Sequence, residues 1–178
     1  MSPAKRDPEG RRRALASAAV EVIADSGVGR TTHRAVAARA GVPLGATTYY
    51  FPTLNDLVAA GLQQASDAMQ AELDGWAGRL TAGNLAPTLV ELSRGYLADR
   101  PRAILEYEVY LAAARDEQLR PLAQAWLDGL YSLLTPLTDP FTARAVAMLL
   151  DGALAQALAT GSALDGATLQ RAITRLLG

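Results

Sequence analysis

Apolar side chains recur every three to four residues along almost the whole chain, and this spacing constrains the fold more than any other feature. Leu15, Ala18, Ala19, Val22 and Ile23 form one such stripe, at i, i+3, i+4, i+7 and i+8. Successive residues turn by about 100° in an α-helix, so the set lies on one face. Ala, Leu, Arg and Glu dominate, β-branched runs are scarce, and no alternating apolar–polar stretch competes with the helical period. The chain is expected to be all-α. Half of its 178 residues are apolar, enough for a substantial core in one ordinary domain or in a small head with a larger body.

Capping residues divide this pattern into about nine helices. Asp7 with Pro8 opens the first, and Gly27 ends it. Thr31 or Thr32 caps a short second helix that runs through Ala40 and stops at Gly41. Val42-Pro43 opens a third, from Leu44 to Phe51, ended by Pro52. Thr53 and Asp56 form a capping box for a long fourth helix to about Leu80, with a break possible at Gly75 or Gly78. Asn84 and Pro87 start a helix to about Ala98, Pro101 one to Arg115, and Glu117 one to about Leu134. Asp139-Pro140 starts a helix to Thr160, and the last runs from Asp165 to Leu177. No internal repeat or low-complexity segment interrupts them.

Composition removes several function classes. There is no Cys and a single His, His33, so a disulfide framework, a thiolate zinc site and a His-rich metal centre are excluded. No phosphate-binding loop or nucleophile elbow is present. The expectation is a protein that is not an enzyme and has no metal or cofactor. The chain opens without an apolar signal segment, and no stretch of about 18 uncharged apolar residues occurs. A soluble cytoplasmic protein without a membrane partner is expected.

The net charge of −1 conceals a division. Residues 1–52 carry eight basic and four acidic residues, and the remainder carries nine basic and fourteen acidic. A basic head on an acidic body points to a polyanion as the partner of the head alone. Arg11, Arg12 and Arg13 occupy the first turns of their helix, against the preference of its dipole, and an anionic partner would account for them.

The segment Thr31 to Phe51, TTHRAVAARAGVPLGATTYYF, places two short helices about a tight turn at Gly41. This is helix-turn-helix geometry. Ala37 is small where the second helix crosses, and Val36, Ala40 and Val42 hold the angle. The second helix then projects Gly45, Ala46, Thr47, Thr48, Tyr49 and Tyr50. Two adjacent aromatics on a helix cannot both face inward, so at least one tyrosine is expected at the surface, with Phe51 in the core. Small residues near the start admit backbone into a major groove, and hydroxyls contact phosphates and base edges.

Thr31, Thr32, Arg34, Val36, Ala37, Ala40, Gly41, Val42, Gly45, Tyr50 and Phe51, with Leu57 at the right distance beyond, resemble the head of the tetracycline-repressor (TetR) family of bacterial regulators. The resemblance covers about 50 residues; the rest agrees in length, helix count and acidic character. It implies a DNA-binding head at residues 1–52 and an effector-binding and dimerisation domain at 53–178. Departures occur at Pro43, Leu44, Thr47, Thr48 and Leu54, where the family more often has a capping Ser, a Lys, an apolar residue, a Tyr and a Lys. The expected DNA-contacting set is Arg11, Arg12, Arg13, Thr31, Thr32, His33, Arg34, Leu44, Gly45, Ala46, Thr47, Thr48, Tyr49 and Tyr50. Arg39 is expected to be solvated.

In the body, the helix Ala145 to Thr160 is apolar nearly all round and must be covered on more than one side. A second copy of the chain is the simplest cover, with Ala145, Met148, Leu149, Gly152, Gln156 and Ala159 facing it. By resemblance the last two helices form the dimer interface, which adds Leu169 and Ile173. The resemblance also implies an effector pocket, for which Trp76, Tyr96, Tyr107, Tyr110, Trp126 and Tyr131 are candidates. Glu108 falls between Ile104 and Leu105 on a helical wheel, inside the apolar arc, whereas Glu106 faces the opposite way. A buried carboxylate must be paired or bind something, and Arg115 is the partner on the same face. The whole reads as a homodimeric, ligand-responsive repressor released from a pseudo-palindromic operator by a small apolar effector. A helical protein-binding adaptor that no longer binds DNA is the alternative.

Overall fold

The caps form as the side chains dictate. In a computed structural model that describes residues 7–178, Asp7 accepts a hydrogen bond from the Gly10 N–H at 2.8 Å and opens α1 (Pro8–Ser26). Thr32 accepts from Ala35 N–H at 3.1 Å and opens α2 (His33–Arg39). After α3 (Leu44–Tyr50), Thr53 and Asp56 exchange reciprocal bonds of 3.1 Å at the head of α4 (Leu54–Ala77). Then follow α5 (Leu85–Ala98), α6 (Arg100–Arg115), α7 (Arg120–Leu134), α8 (Pro140–Thr160) and α9 (Gly166–Leu177). Every regular element among the described residues is helical. Lys5 and Arg6, counted in the basic head, lie outside them.

Three boundaries differ from expectation for local reasons. Helix α4 stops at Ala77, where Gly78 follows and Arg79 N–H closes a turn on Trp76 C=O at 2.9 Å. Asn84 turns its side chain back to Thr81 N–H and Arg79 C=O rather than capping α5. Residues Glu117–Leu119 form a 3-10 turn before α7 begins.

The described residues pack as two units, one ending at Ala65 and the other Ser66–Gly178. The first holds α1, α2, α3 and the start of α4 around Leu15, Ala19, Val36, Phe51 and Leu57, all inaccessible to solvent. The leucine, valine and phenylalanine side chains contribute about 1.5–3 kcal/mol each by leaving water. Gly41 sits at φ +66° between α2 and α3, a left-handed conformation that glycine adopts without strain. Gly61 is small for a different reason: a Cβ there would lie 3.1 Å from Ala19 Cβ, where α4 meets α1.

The second unit is built around α8, which packs on α5, α6, α7 and α9. Ala143, Val146, Leu150 and Leu154 on its inner face are fully buried. By length and composition α8 would be long and apolar enough to cross a membrane, although Arg144 and Asp151 interrupt it. Its outer face carries Phe141 at 80% and Met148 at 71% exposure. With α9 this face borders two grooves of about 680 and 620 Å³. Ala145, Leu149 and Gly152 are partly exposed there, and Gln156 and Ala159 are exposed.

Leu169 and Ile173 correct the expected interface. They are 3% and 0% exposed and sit in the unit's own core. The face of α9 richest in apolar residues packs on α5 and α8, and Ala172, Arg175 and Leu176 line the outer groove instead.

Candidate functional site

Two regions carry unusual chemistry. The first is the outer face of α3. Its seven residues include no charged side chain. Leu44, Gly45, Thr48 and Tyr49 are exposed, Tyr49 at 80%. Ala46 and Tyr50 are half-buried. The two tyrosine rings meet edge to face with centroids 5.1 Å apart, so Tyr50 braces Tyr49 while Phe51 fills the core. Arg11, Arg13 and Arg34 are exposed with no ion-pair partner among the described residues. Thr32 is exposed and spends its hydroxyl on the α2 cap. His33 is half-buried, its Nδ1 without a hydrogen-bond partner among the described residues.

Arg12 differs from its neighbours. It donates to Tyr50 C=O at 3.0 Å and lies 4.5 Å over the Phe51 ring, fixing the end of α3 to α1. Arg39, expected to be solvated, is exposed but holds Glu21 at 3.1 Å and Asp25 at 2.5 Å.

Thr31 and Thr47 do not belong to the exposed set. Each is about fully buried, at 2% and 0% exposure. Their hydroxyls donate to backbone carbonyls, Thr31 to Gly27 at 3.1 Å and Thr47 to Leu44 at 2.7 Å. A Thr that satisfies its hydroxyl on its own preceding turn packs like a Val.

The second site lies in the Ser66–Gly178 unit, where five helices, α4 to α8, bring aromatics and carboxylates together. Tyr96 of α5 stacks on Trp126 of α7 at 6.3 Å, and Tyr107 stacks on Tyr110 along α6 at 5.7 Å. The Tyr107 hydroxyl donates to both the Asp151 carboxylate and its backbone carbonyl, each at 3.0 Å. Glu106 stands opposite Tyr96, with Arg102 Nε 3.9 Å from its carboxylate. Trp76 donates to Glu72 at 3.3 Å, and Glu72 is ion-paired to Arg102. Tyr131 stands aside, its ring 5.0 Å from the Arg144 guanidinium.

Glu106, not Glu108, is the buried carboxylate. Glu106 is 2% exposed and Glu108 only partly buried. The inward face of α6 is marked by Ala103, Val109 and Ala113, at i−3, i+3 and i+7 from Glu106. A wheel centred on the larger Ile104 and Leu105 misplaces that face by about a third of a turn. Arg115 is exposed and makes no ion pair with Glu108.

Burial pushes the Glu106 carboxyl up to about 7, with the Tyr96 hydroxyl and Arg102 opposing. Burial likewise raises Asp151, opposed by Tyr107 and Trp126. Glu106 Oε2 and the Tyr110 hydroxyl are buried with no hydrogen-bond partner among the described residues. Such orphaned groups cost about 1–3 kcal/mol each. Asp151 and Arg102 were not anticipated from sequence, although a carboxylate interrupting the apolar α8 was a visible signal. Among the described residues no cluster of three His, Cys, Asp or Glu could hold a metal.

Residues 15–60 match the bacterial regulatory proteins of the tetR family, and residues 80–178 match the tetracyclin repressor-like C-terminal domain. A solved TetR-family member from Streptomyces coelicolor A3 is 39% identical over 94% of this chain and 98% of its own, with a TM-score of 0.83. The multidrug binding protein EbrR, solved with ethidium, is 40% identical over 96% of this chain and 99% of its own, with a TM-score of 0.84. EbrR with malachite green gives 39%, 94%, 98% and 0.78. No protein with curated function matches the chain.

Proposed function

The chain belongs to the TetR family of bacterial regulatory proteins, and we propose that it is a homodimeric, cytoplasmic repressor that leaves its operator when a lipophilic aromatic cation binds beside Glu106. The observation that carries this reading is the buried, unpartnered Glu106 Oε2 among stacked aromatic rings. A neutral apolar effector would leave Oε2 without a partner, since Arg102 stands 3.9 Å from the other carboxylate oxygen. A cation would neutralise it and gain further from the ring faces. EbrR is complexed with ethidium and malachite green, both aromatic cations, which supports the same ligand class here.

On this reading α3 enters the major groove, with Tyr49, Thr48 and Leu44 at the bases and Arg34, Arg11 and Arg13 on phosphates. The outer face of α8 and α9 meets its copy about a two-fold axis. That symmetry sets two α3 helices into successive major grooves about 34 Å apart. Ligand binding favours a spacing that does not fit DNA, and a differential affinity of about 1–3 kcal/mol changes occupancy 5- to 150-fold. The DNA-contacting set is thus the expected one without Thr31 and Thr47, and with Arg12 as the brace of α3.

The test is titration calorimetry of the purified protein with malachite green in the absence of DNA, then a gel shift on the DNA flanking its own gene with and without the dye. Binding and release in wild type, both lost in Glu106→Gln, are expected. Release that persists in Glu106→Gln would overturn the assignment of the site.

A further inference from the structure

Arg102 occupies the ground that a ligand cation would need. Its guanidinium lies 5.5 Å from the Tyr96 ring centroid, is ion-paired to Glu72, and stands 3.8 Å from Asp99 and 3.9 Å from Glu106. A ring face beside carboxylates is what an aromatic cation seeks. Arg102 fills it poorly. Its Nε is buried without a hydrogen bond, and 3.9 Å is too long for one to Glu106. Geometry explains the misfit, because Arg102 and Glu106 share α6 one turn apart and Glu72 draws the guanidinium away toward α4. Glu72 is in turn partly exposed, at 24%. It lines a cleft of about 380 Å³ between α4 and α5, with Trp76, Leu92 and Gly95. The firmest partner of Arg102 is therefore reachable from solvent.

We infer that Arg102 is a resident cation that keeps the ligand position in the empty protein, and that a cationic ligand binds by exchange with it. The incoming charge takes Glu106 and the Tyr96 face, and Arg102 swings with Glu72 toward the cleft. The inference rests on the cation reading above and adds the residue that sets its threshold. Measured affinity is then the difference between ligand and arginine for the same groups. A weakly held cation fails to displace Arg102, and a neutral aromatic has no means to. Arg102 is a specificity-determining residue that opposes binding, unlike the rings and carboxylates that promote it.

The experiment is calorimetric titration of wild type and Arg102→Met with ethidium, without DNA, at about pH 8.5, above the value of about 7 to which burial lifts the Glu106 carboxyl. Met keeps the apolar stem and removes the charge. The expected result is an affinity about tenfold tighter in Arg102→Met, with no comparable gain for neutral phenanthridine. Unchanged or weaker ethidium binding by folded Arg102→Met overturns the exchange. Should that variant not fold, the Nε–H signal of Arg102 in 15N-arginine-labelled wild type, assigned by its loss in Arg102→Lys, should move on saturation with ethidium. A signal that stays in place overturns the inference equally. If neither wild type nor Arg102→Met binds either dye, the cation reading itself falls and the exchange falls with it.

Discussion

Glu106 and Tyr110 stand one helical turn apart on α6, and each ends in a buried oxygen with no hydrogen-bond partner among the described residues. Two orphaned groups one turn apart, Glu106 facing Tyr96 and Tyr110 stacked on Tyr107, make a local deficit that packing alone does not relieve. The deficit has a sign. Carboxylates outnumber cations around it, Glu72, Asp99 and Glu106 against Arg102, which is the ground for proposing a positive ligand.

That deficit should be measurable as stability. The Glu106 carboxyl sits at about 7 against an ordinary 4.5, so the folded state holds the proton more tightly than the unfolded chain. Its penalty is absent below about pH 4.5 and grows as pH rises through about 7. Glu106→Gln should raise the thermal midpoint by several degrees near pH 8, at most about 3 kcal/mol, and change little near pH 4. Melting curves at both pH values check this. Equal shifts at both would count against a titrating Glu106.

The face of α3 separates contact from support. Tyr49→Phe and Arg34→Ala should weaken operator binding about five- to tenfold with dimer mass and melting unchanged. Thr47→Val should do the reverse, costing about 1 kcal/mol of stability while leaving a folded head that binds. Paired gel shifts and thermal melts distinguish the two patterns. A Tyr49→Phe variant that unfolds would mean the ring is part of the core.

Binding should also report how many phosphates are neutralised. Each contributes about 0.9 to the slope of log affinity against log salt. Arg34→Ala should flatten that slope by about one, and so should Arg13→Ala. Arg39→Ala should leave it unchanged, because Glu21 and Asp25 already hold that guanidinium. Filter binding at several salt concentrations gives the slopes.

Phe141 and Met148 test the second copy. Asp at either position places a charge on the exposed apolar face of α8 and should shift the sedimentation of the protein to that of a single chain. Operator affinity should fall by at least about 100-fold, since one head then binds without the other. A dimer that survives both substitutions would place the interface elsewhere.

Local chemistry was readable in advance and tertiary chemistry was not. Asp7, Thr32, Thr53 with Asp56, Asp139 and Asp165 each bond a backbone N–H within three residues, so the helix starts follow from neighbours in sequence. The turn at Gly41 is as local. Thr31 and Thr47 look like surface hydroxyls until the folded head buries them, at 2% and 0% exposure. Glu106 is recognised only once Ala103 and Ala113 are seen to mark the tight side of α6. By resemblance Leu169 and Ile173 belong to a face between two copies, whereas α9 turns them into the core of its own unit, against α5 and α8.

The neutrality of α3 has a wider consequence. On the proposed reading, every charge available for gripping the duplex lies outside the helix set against the bases. Altering which sequence is chosen and altering how hard any sequence is held are thus assigned to different parts of the head. A change at Leu44 or Thr48 could redirect the protein to a new address without loosening its hold, and a change at Arg11 or Arg13 could loosen the hold without changing the address.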